Sequence, residues 1–164
     1  MQFADEAFKR NQEHMSYADN LSKRYQETAV NTASGEQLVV LLYEGAIQSL
    51  KKAIAGINEK NLEAKHESVD RALGIIQHLQ ATLDMKRGGQ IAADLDGLYT
   101  YMTLRILDGS SKLEIAPLQE VVKLLTPMLE AWEEVAKRKN DNSVTAKAMM
   151  AGQEGSTIRL QLHG

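Results

Sequence analysis

The sequence predicts an all-α fold, an antiparallel up-and-down four-helix bundle with a short N-terminal helix docked on it. Apolar residues recur with a helical period from about residue 36 to residue 139, and turn residues divide this stretch into four segments. Two prolines and an aromatic content of 5% also favour helices over a β-sandwich. Because the predicted loops are short, consecutive helices should run in opposite directions and pack side by side.

The first predicted helix begins at Gly35 or Glu36. Ser34 and Gln37 have the spacing of a capping box, in which each side chain satisfies a backbone N–H at the helix start. Gly45 lies inside this helix, where glycine costs about 1 kcal/mol relative to alanine, and we expect another backbone to come close there. Two apolar stripes make the buried face wider than a two-helix seam requires. They contain Leu38, Leu42 and Ala46, and Val39, Tyr43, Ile47, Leu50, Ile54 and Ile57.

The second and third predicted helices are bounded by a cap and by two glycine-containing turns. Asn61 should cap the second helix, and residues 86–89, Lys-Arg-Gly-Gly, should end it. The third helix should run from Gln90 to about Asp108, with Gly-Ser-Ser at 109–111 as its stop. Its buried seam is predicted to contain Ile91, Leu95, Leu98, Met102 and Ile106.

The fourth predicted helix opens near Pro117, a residue that suits a first helical turn. Pro127 lies inside its apolar pattern, and the missing N–H and the bulk of the ring should bend the helix without ending it. Residues 140–143, Asn-Asp-Asn-Ser, are typical of a helix stop. The apolar residues of this helix are Leu118, Val121, Val122, Leu125, Met128, Leu129, Trp132 and Val135.

Outside the four segments the sequence has little capacity to fold alone. Tyr17, Leu21, Tyr25 and Ala29 form one narrow apolar stripe that is suited to a short docking helix. The last residues have too little apolar surface to offset the entropy of ordering them. We therefore expect three regions. They are a flexible leader over residues 1–15, a helical-bundle domain over 16–139 and a mobile tail over 140–164.

Composition excludes several classes of function. The chain has no cysteine, which excludes disulfides and Cys-based zinc sites and suits a reducing cytoplasm. Its net charge of −3 provides no positive field for nucleic acid or an anionic membrane. No apolar run is long enough to span a membrane, and no signal peptide is evident. We expect a cytoplasmic protein with no nucleic-acid partner and no membrane insertion.

No residue pattern supports a metal site or catalysis. Glu63 and His66 match the Glu-x-x-His pair of di-iron bundles only once, so they are expected on the solvated surface. Residues 86–89 could hold an anion, but no strand precedes them, as phosphate-binding motifs require. We expect no catalytic residue, no metal and no cofactor. A metal-carrying or catalytic helical bundle and a self-associating structural bundle are the alternatives.

The aromatic residues are the remaining candidates for recognition. Tyr99 and Tyr101 are two positions apart, about 200° around a helix, so they cannot both face one seam. Tyrosine beside Met102 suits adaptable protein recognition. Trp132 is expected in the core.

Short motifs follow one another in a specific order between residues 17 and 136. They are Tyr25-Gln26, Ala33-Ser34 with Leu38, Leu42-Tyr43-Glu44-Gly45-Ala46, Ile75-Ile76 with Leu79 and Leu83, Gly88-Gly89-Gln90-Ile91-Ala92, Leu95 with Leu98-Tyr99-Thr100-Tyr101, Glu120-Val121 and Ala131-Trp132. Their order and spacing resemble the FliS family of flagellar secretion chaperones. The chain differs at Gly35, where the family often has proline, and at Pro127, where it does not usually have a helix-breaking residue.

The resemblance implies a cytoplasmic chaperone that binds the disordered C-terminal region of flagellin. Such a chaperone prevents premature polymerisation and delivers its client to an export gate component of the flagellar type III secretion apparatus. It also implies that Leu21 and Tyr25 form a lid over the client groove, and a homodimer is a further expectation. Residues implied to line or support the groove are Leu38, Leu42, Tyr43, Ile47, Tyr99, Tyr101 and Met102.

Overall fold

A computed structural model of the chain describes residues 35–161, with side-chain burial described for residues 35–151. This part of the chain contains four helices and no strand, so the predicted all-α class with four main helices is confirmed. The predicted N-terminal helix and leader lie outside the described residues. The helices are α1 (Gly35–Asn58), α2 (Leu62–Ala81), α3 (Met85–Lys112) and α4 (Ile115–Gln161).

Each helix packs against two of the others. Helix α1 packs on α2 and α4, and α3 packs on the same two helices. All four contribute to a single apolar core, because each has at least one stripe of apolar residues at helical spacing. The largest fully buried side chains are Tyr43, Leu50, Ile76, Met102, Ile106, Leu118, Val121 and Leu125.

Hydrogen bonds between helices fix which ends lie side by side. The Lys65 ammonium donates to the backbone carbonyl of Ser110 over 3.0 Å, so the start of α2 lies beside the end of α3. The Lys139 ammonium donates to the Glu36 carboxylate over 2.7 Å. The start of α1 therefore lies beside the middle of α4.

Three helix starts agree with the sequence. Helix α1 begins at Gly35. The Asn61 side chain caps α2 by accepting a hydrogen bond from the backbone N–H of Ala64 over 3.1 Å, as predicted. Helix α4 begins at Ile115, which places Pro117 in its first turn. Capping residues and an N-terminal proline are local signals, and these starts depend on little else.

The close backbone approach expected at Gly45 occurs elsewhere in α1. A Cβ atom at Gly45 would meet the side chain of Ile75 at 3.3 Å, not a backbone atom. At Gly56 a Cβ atom would lie 2.9 Å from the backbone nitrogen of Lys65. The glycine that admits a neighbouring backbone is therefore the one near the α1–α2 loop.

The predicted end of the second helix at residues 86–89 is wrong, because α2 ends at Ala81 and α3 already begins at Met85. The Asp84 carboxylate accepts from the backbone N–H groups of Lys86 and Arg87, both over 3.1 Å, and this cap starts a helical turn before Gln90. Gly89 then interrupts the helix, with φ 51° and ψ −127°. This positive φ favours glycine, and the break lies directly before Gln90, where the third helix was predicted to start.

The predicted stop at residues 109–111 is also wrong. Helix α3 continues to Lys112 and ends at Leu113, which adopts the left-handed conformation with φ 56° and ψ 37°. Gly109 is buried, and a Cβ atom there would lie 2.5 Å from the Leu118 side chain and 2.9 Å from the Glu114 carbonyl. Gly109 therefore lets α4 approach α3 closely.

Helix α4 continues through Pro127, as predicted, but the predicted stop at residues 140–143 is wrong. The helix extends to Gln161, and residues 140–151 are all exposed. The Ser143 hydroxyl donates to the carbonyl of Asn140 over 2.8 Å, so it bonds to the helix backbone and does not end the helix. We call residues 140–161 the projecting half of α4.

Candidate functional site

The seven residues expected to line or support a groove fall into two groups. Tyr101 is 43% exposed. The other six are buried, so they can support a binding surface from below, and their role in binding stays a prediction. The buried residues are Leu38, Leu42, Tyr43, Ile47, Tyr99 and Met102.

A pair of tyrosines joins α1 to α3 inside the core. The hydroxyl groups of Tyr43 and Tyr99 share a hydrogen bond. Burial raises the pKa of both tyrosine hydroxyls. Both groups are therefore neutral at physiological pH, and their polar atoms are satisfied within the core. Trp132 packs against the core, as expected.

Tyr101, on a different side of α3 from Tyr99, belongs to a polar cluster that ties α3 to α4. Its hydroxyl donates to the Glu120 carboxylate over 2.5 Å, and the Arg105 guanidinium donates to the same carboxylate over 2.6 Å. These two bonds hold the pKa of Glu120 below its ordinary value. Asp108 pairs with Lys112 over 2.9 Å and with Arg105 over 3.5 Å.

Beyond this cluster, α3 and α4 carry further apolar residues. Gly109 lies against Leu118, and Tyr101, eight residues earlier in α3, bonds to Glu120. From these two contacts we infer that the α3 residues from Tyr101 back to Ile91 lie beside the α4 residues that follow Glu120. We call these residues the α3–α4 surface. It consists of Ile91, Leu98 and Tyr101 on α3 and Leu124, Met128, Ala131 and Val135 on α4.

The α3–α4 surface is apolar and partly open to solvent. Ile91 is 73% exposed and Val135 is 46% exposed, while Leu98, Leu124 and Met128 are half-buried against the core. Ile91 was predicted in the buried seam of the third helix, and this placement is wrong, since its side chain is largely exposed. The α4 residues recur at spacings of four, three and four, which is a second apolar stripe that could have been recognised.

This surface is suited to binding an apolar partner. An amphipathic helix could lay its apolar face between α3 and α4.

The described residues offer no metal site and no membrane span. Within residues 35–161, no group of three or more His, Cys, Asp or Glu side chains could hold a metal ion. Glu63 and His66 are both exposed, as predicted. None of the helices described is both long and apolar enough to cross a membrane.

Comparison with known proteins gives a consistent result. A family model described as flagellar protein FliS matches residues 17–139. The flagellar secretion chaperone FliS of Salmonella typhimurium is 35% identical over 113 residues, which are 68% of this chain and 84% of that protein. FliSB of Pseudomonas aeruginosa is 32% identical over 124 residues, which are 73% of this chain and 98% of that protein. FliS of Bacillus subtilis is 32% identical over 110 residues, which are 67% of this chain and 81% of that protein. The chain therefore belongs to the FliS family of flagellar proteins, as the motifs indicated.

Proposed function

We propose that this chain is a flagellar export chaperone. It binds the disordered C-terminal region of flagellin in the cytoplasm, prevents premature polymerisation and delivers flagellin to the type III secretion apparatus. Membership of the FliS family and the names of the relatives support the secretion-chaperone role. The observation that carries the binding proposal is the exposed apolar α3–α4 surface.

The proposed scaffold is an antiparallel up-and-down bundle with an N-terminal helix docked on it. The Lys65–Ser110 and Glu36–Lys139 hydrogen bonds support opposite directions for the α2–α3 and α1–α4 pairs. Leu21 and Tyr25 lie outside the described residues, and their role as a lid over the groove remains a prediction.

Binding on this surface can be strong enough to hold a client and weak enough to release it. Burial of apolar area contributes about 25 cal/mol per Å². A disordered client must be ordered as it binds, and the entropy lost in ordering lowers the net affinity. The chaperone loses less conformational entropy than the client, because the Tyr43–Tyr99 hydrogen bond joins α1 to α3 and Trp132 of α4 packs against the same core.

Calorimetric titration with flagellin, and with flagellin that lacks its C-terminal segment, tests this proposal. The truncated client should fail to bind. The Ile91→Asp and Val135→Asp variants should raise the Kd for intact flagellin about tenfold or more, because each places a charge on an apolar contact. Val144→Asp is the matched control, since Val144 is 66% exposed but lies on the projecting half of α4.

Three outcomes would contradict the proposal. The first is equal binding of both clients. The second is an unchanged Kd in both surface variants. The third is an equal loss of affinity in the control. Thermal unfolding of each variant should accompany the titrations, so that a folding defect is not mistaken for lost binding.

The proposed activity is binding without catalysis. The alternative metal-carrying bundle predicts stoichiometric iron or manganese in the purified full chain, which elemental analysis would detect. One Glu-x-x-His pair, Glu63 and His66, provides too few ligands for such a site. An export gate component is the proposed second partner, and it should be retained by the chain–flagellin complex in a pull-down experiment.

A further inference from the structure

A second apolar surface lies along the seam between α2 and α3. At one end of the seam, the Lys65 ammonium bonds to the Ser110 carbonyl over 3.0 Å. Further along, the Gln80 side-chain amide donates to the Thr100 hydroxyl over 2.9 Å. From these two contacts we infer that residues 65–80 of α2 lie beside residues 100–110 of α3.

On α3, two exposed leucines lie on the side of the helix that faces α2. Leu104 and Leu107 follow Thr100 at spacings of four and three, so the three residues share one side of the helix. Thr100 is the residue that bonds to α2. Leu104 is 61% exposed and Leu107 is 47% exposed, so both contribute open apolar area to the seam.

On α2, two further leucines lie on the side that faces α3. Leu73 precedes Gln80 by about two helical turns, and Leu62 precedes Leu73 by about three, so all three share one side of the helix. Leu73 is partly buried against the core, and Leu62 is exposed. Adjoining apolar residues that stay open to solvent mark interaction sites, unlike single exposed ones. We call these four residues the α2–α3 surface. It consists of Leu62, Leu73, Leu104 and Leu107.

Among the described residues, the unpaired charge on the α2 edge of this surface is negative. Glu63 and Asp70 are exposed and seven residues apart, so they share one side of α2, next to the leucines. No ion pair or side-chain hydrogen bond within residues 35–161 involves either carboxylate. The basic residues of α2 are already engaged, since Lys65 is buried and Arg71 pairs with Glu67 over 3.0 Å.

The opposite edge, on α3, adds no unpaired charge. Asp108, one turn after Leu104, pairs with Lys112 over 2.9 Å and with Arg105 over 3.5 Å. Ser111, which follows Leu107 by one turn, is uncharged. The α2–α3 surface is therefore an apolar strip with an acidic edge on one side.

We propose that the α2–α3 surface binds an amphipathic helix of another protein, with large apolar residues on one stripe and lysine or arginine along one flank. The apolar stripe would lie over the four leucines, as helices do in apolar grooves. Basic residues two turns apart on the flank would reach Glu63 and Asp70, which are separated by about 10 Å along α2. The net charge of −3 on the chain also favours a basic partner.

This partner is additional to flagellin. Thr100 bonds to α2 and the next residue, Tyr101, bonds to α4, so the α2–α3 and α3–α4 surfaces lie on different sides of α3. Both surfaces can be occupied at the same time. The inference therefore does not rest on the proposed client, and either proposal can fail without the other.

A labelled synthetic helix tests the proposal by fluorescence anisotropy with the full chain. The probe is a peptide of about 18 residues with leucines at spacings of three and four, lysines along one flank and glutamines elsewhere. It should bind at one site per chain, and the same peptide with glutamates in place of the lysines should bind about tenfold more weakly or worse. Saturating flagellin should leave the Kd unchanged. Equal Kd values for the two peptides, or displacement of the lysine peptide by flagellin, would overturn the proposal.

Leucine substitutions locate the site. Leu104→Gln combined with Leu107→Gln should raise the Kd for the lysine peptide about tenfold, because two apolar contacts are lost without a change of charge. Val144→Gln combined with Met149→Gln is the matched control on the projecting half of α4, where both residues are also exposed. The control should keep the wild-type Kd. An unchanged Kd in the leucine variant, or an equal rise in both, contradicts the assignment.

A second pair of variants tests the acidic edge. Glu63→Gln combined with Asp70→Asn should raise the Kd for the lysine peptide about threefold or more, since two ion pairs at the surface are lost. Glu130→Gln combined with Glu133→Gln removes the same charge from exposed positions of α4 and should have a smaller effect. Equal effects of the two pairs would show that only net charge matters, which the proposal does not allow. Thermal unfolding of each variant verifies that it is folded.

Discussion

Helices α1 and α3 have similar numbers of large apolar side chains but use them differently. In α1 nearly every large apolar side chain is buried or half-buried, and only Leu41 is exposed. In α3, Tyr99, Met102 and Ile106 are buried, while Ile91, Tyr101, Leu104 and Leu107 are exposed. The apolar face of α1 therefore serves the fold, whereas α3 leaves several large apolar side chains open to solvent. The number of apolar residues alone does not show whether a helix buries them.

The largest expected effect on stability comes from replacing a buried tyrosine of α1, and an exposed tyrosine of α3 provides the comparison. Tyr43→Ala opens a cavity in the core and should reduce the free energy of unfolding by about 3–5 kcal/mol. Tyr101→Ala removes an exposed ring and one surface hydrogen bond, so its effect should be about 1 kcal/mol or less. Urea denaturation measures both values. Equal losses would mean that Tyr101 is as much a part of the fold as Tyr43.

Two glycines of α3, one buried and one exposed, should change stability in opposite directions when each is replaced by alanine. Gly109→Ala places a Cβ atom against the Leu118 side chain and the Glu114 carbonyl, and should destabilise the fold by about 1–3 kcal/mol. Gly97→Ala has open space and should stabilise the helix by up to about 1 kcal/mol. Thermal unfolding distinguishes the two variants, and a loss of stability in both would show that Gly97 is not open.

A smaller effect on stability is expected from the Glu120 carboxylate, which links α3 to α4. Hydrogen bonds from Tyr101 and Arg105 lower the pKa of this carboxyl below its ordinary value of 4.5. Its contribution to stability should therefore be present above about pH 4.5 and decline as pH falls through the lowered pKa. The stability difference between wild type and Glu120→Gln should shrink over that range. A difference that persists at lower pH would show that the charge is not responsible.

The smallest effect is expected from removing the projecting half of α4. Residues 140–151 are exposed throughout, so ending the chain at residue 139 removes little core contact. The unfolding temperature should change by no more than a few degrees. A large decrease would show that residues after 139 pack against the rest of the chain.

The fold class and helix starts could be predicted because they depend on local signals. The Asn61 cap and the start at Gly35 are examples. Helix ends were predicted less well, since Gly109 has the composition of a stop but serves a close contact with α4. The candidate site was the least predictable part. Sequence periodicity identifies apolar stripes such as those of Ile91 and Val135, but only packing decides which stripe remains exposed.

The length of α4 also affects how the molecule moves in solution. Its 47 residues correspond to about 70 Å of helix, whereas a compact chain of 164 residues has a radius of gyration of about 15 Å. A long projecting helix gives the molecule a higher frictional coefficient than a compact protein of the same mass. A single copy should therefore diffuse more slowly and elute earlier from a sizing column than such a compact protein. Early elution is therefore not evidence of two copies, and measurements of self-association need a method that reports mass directly.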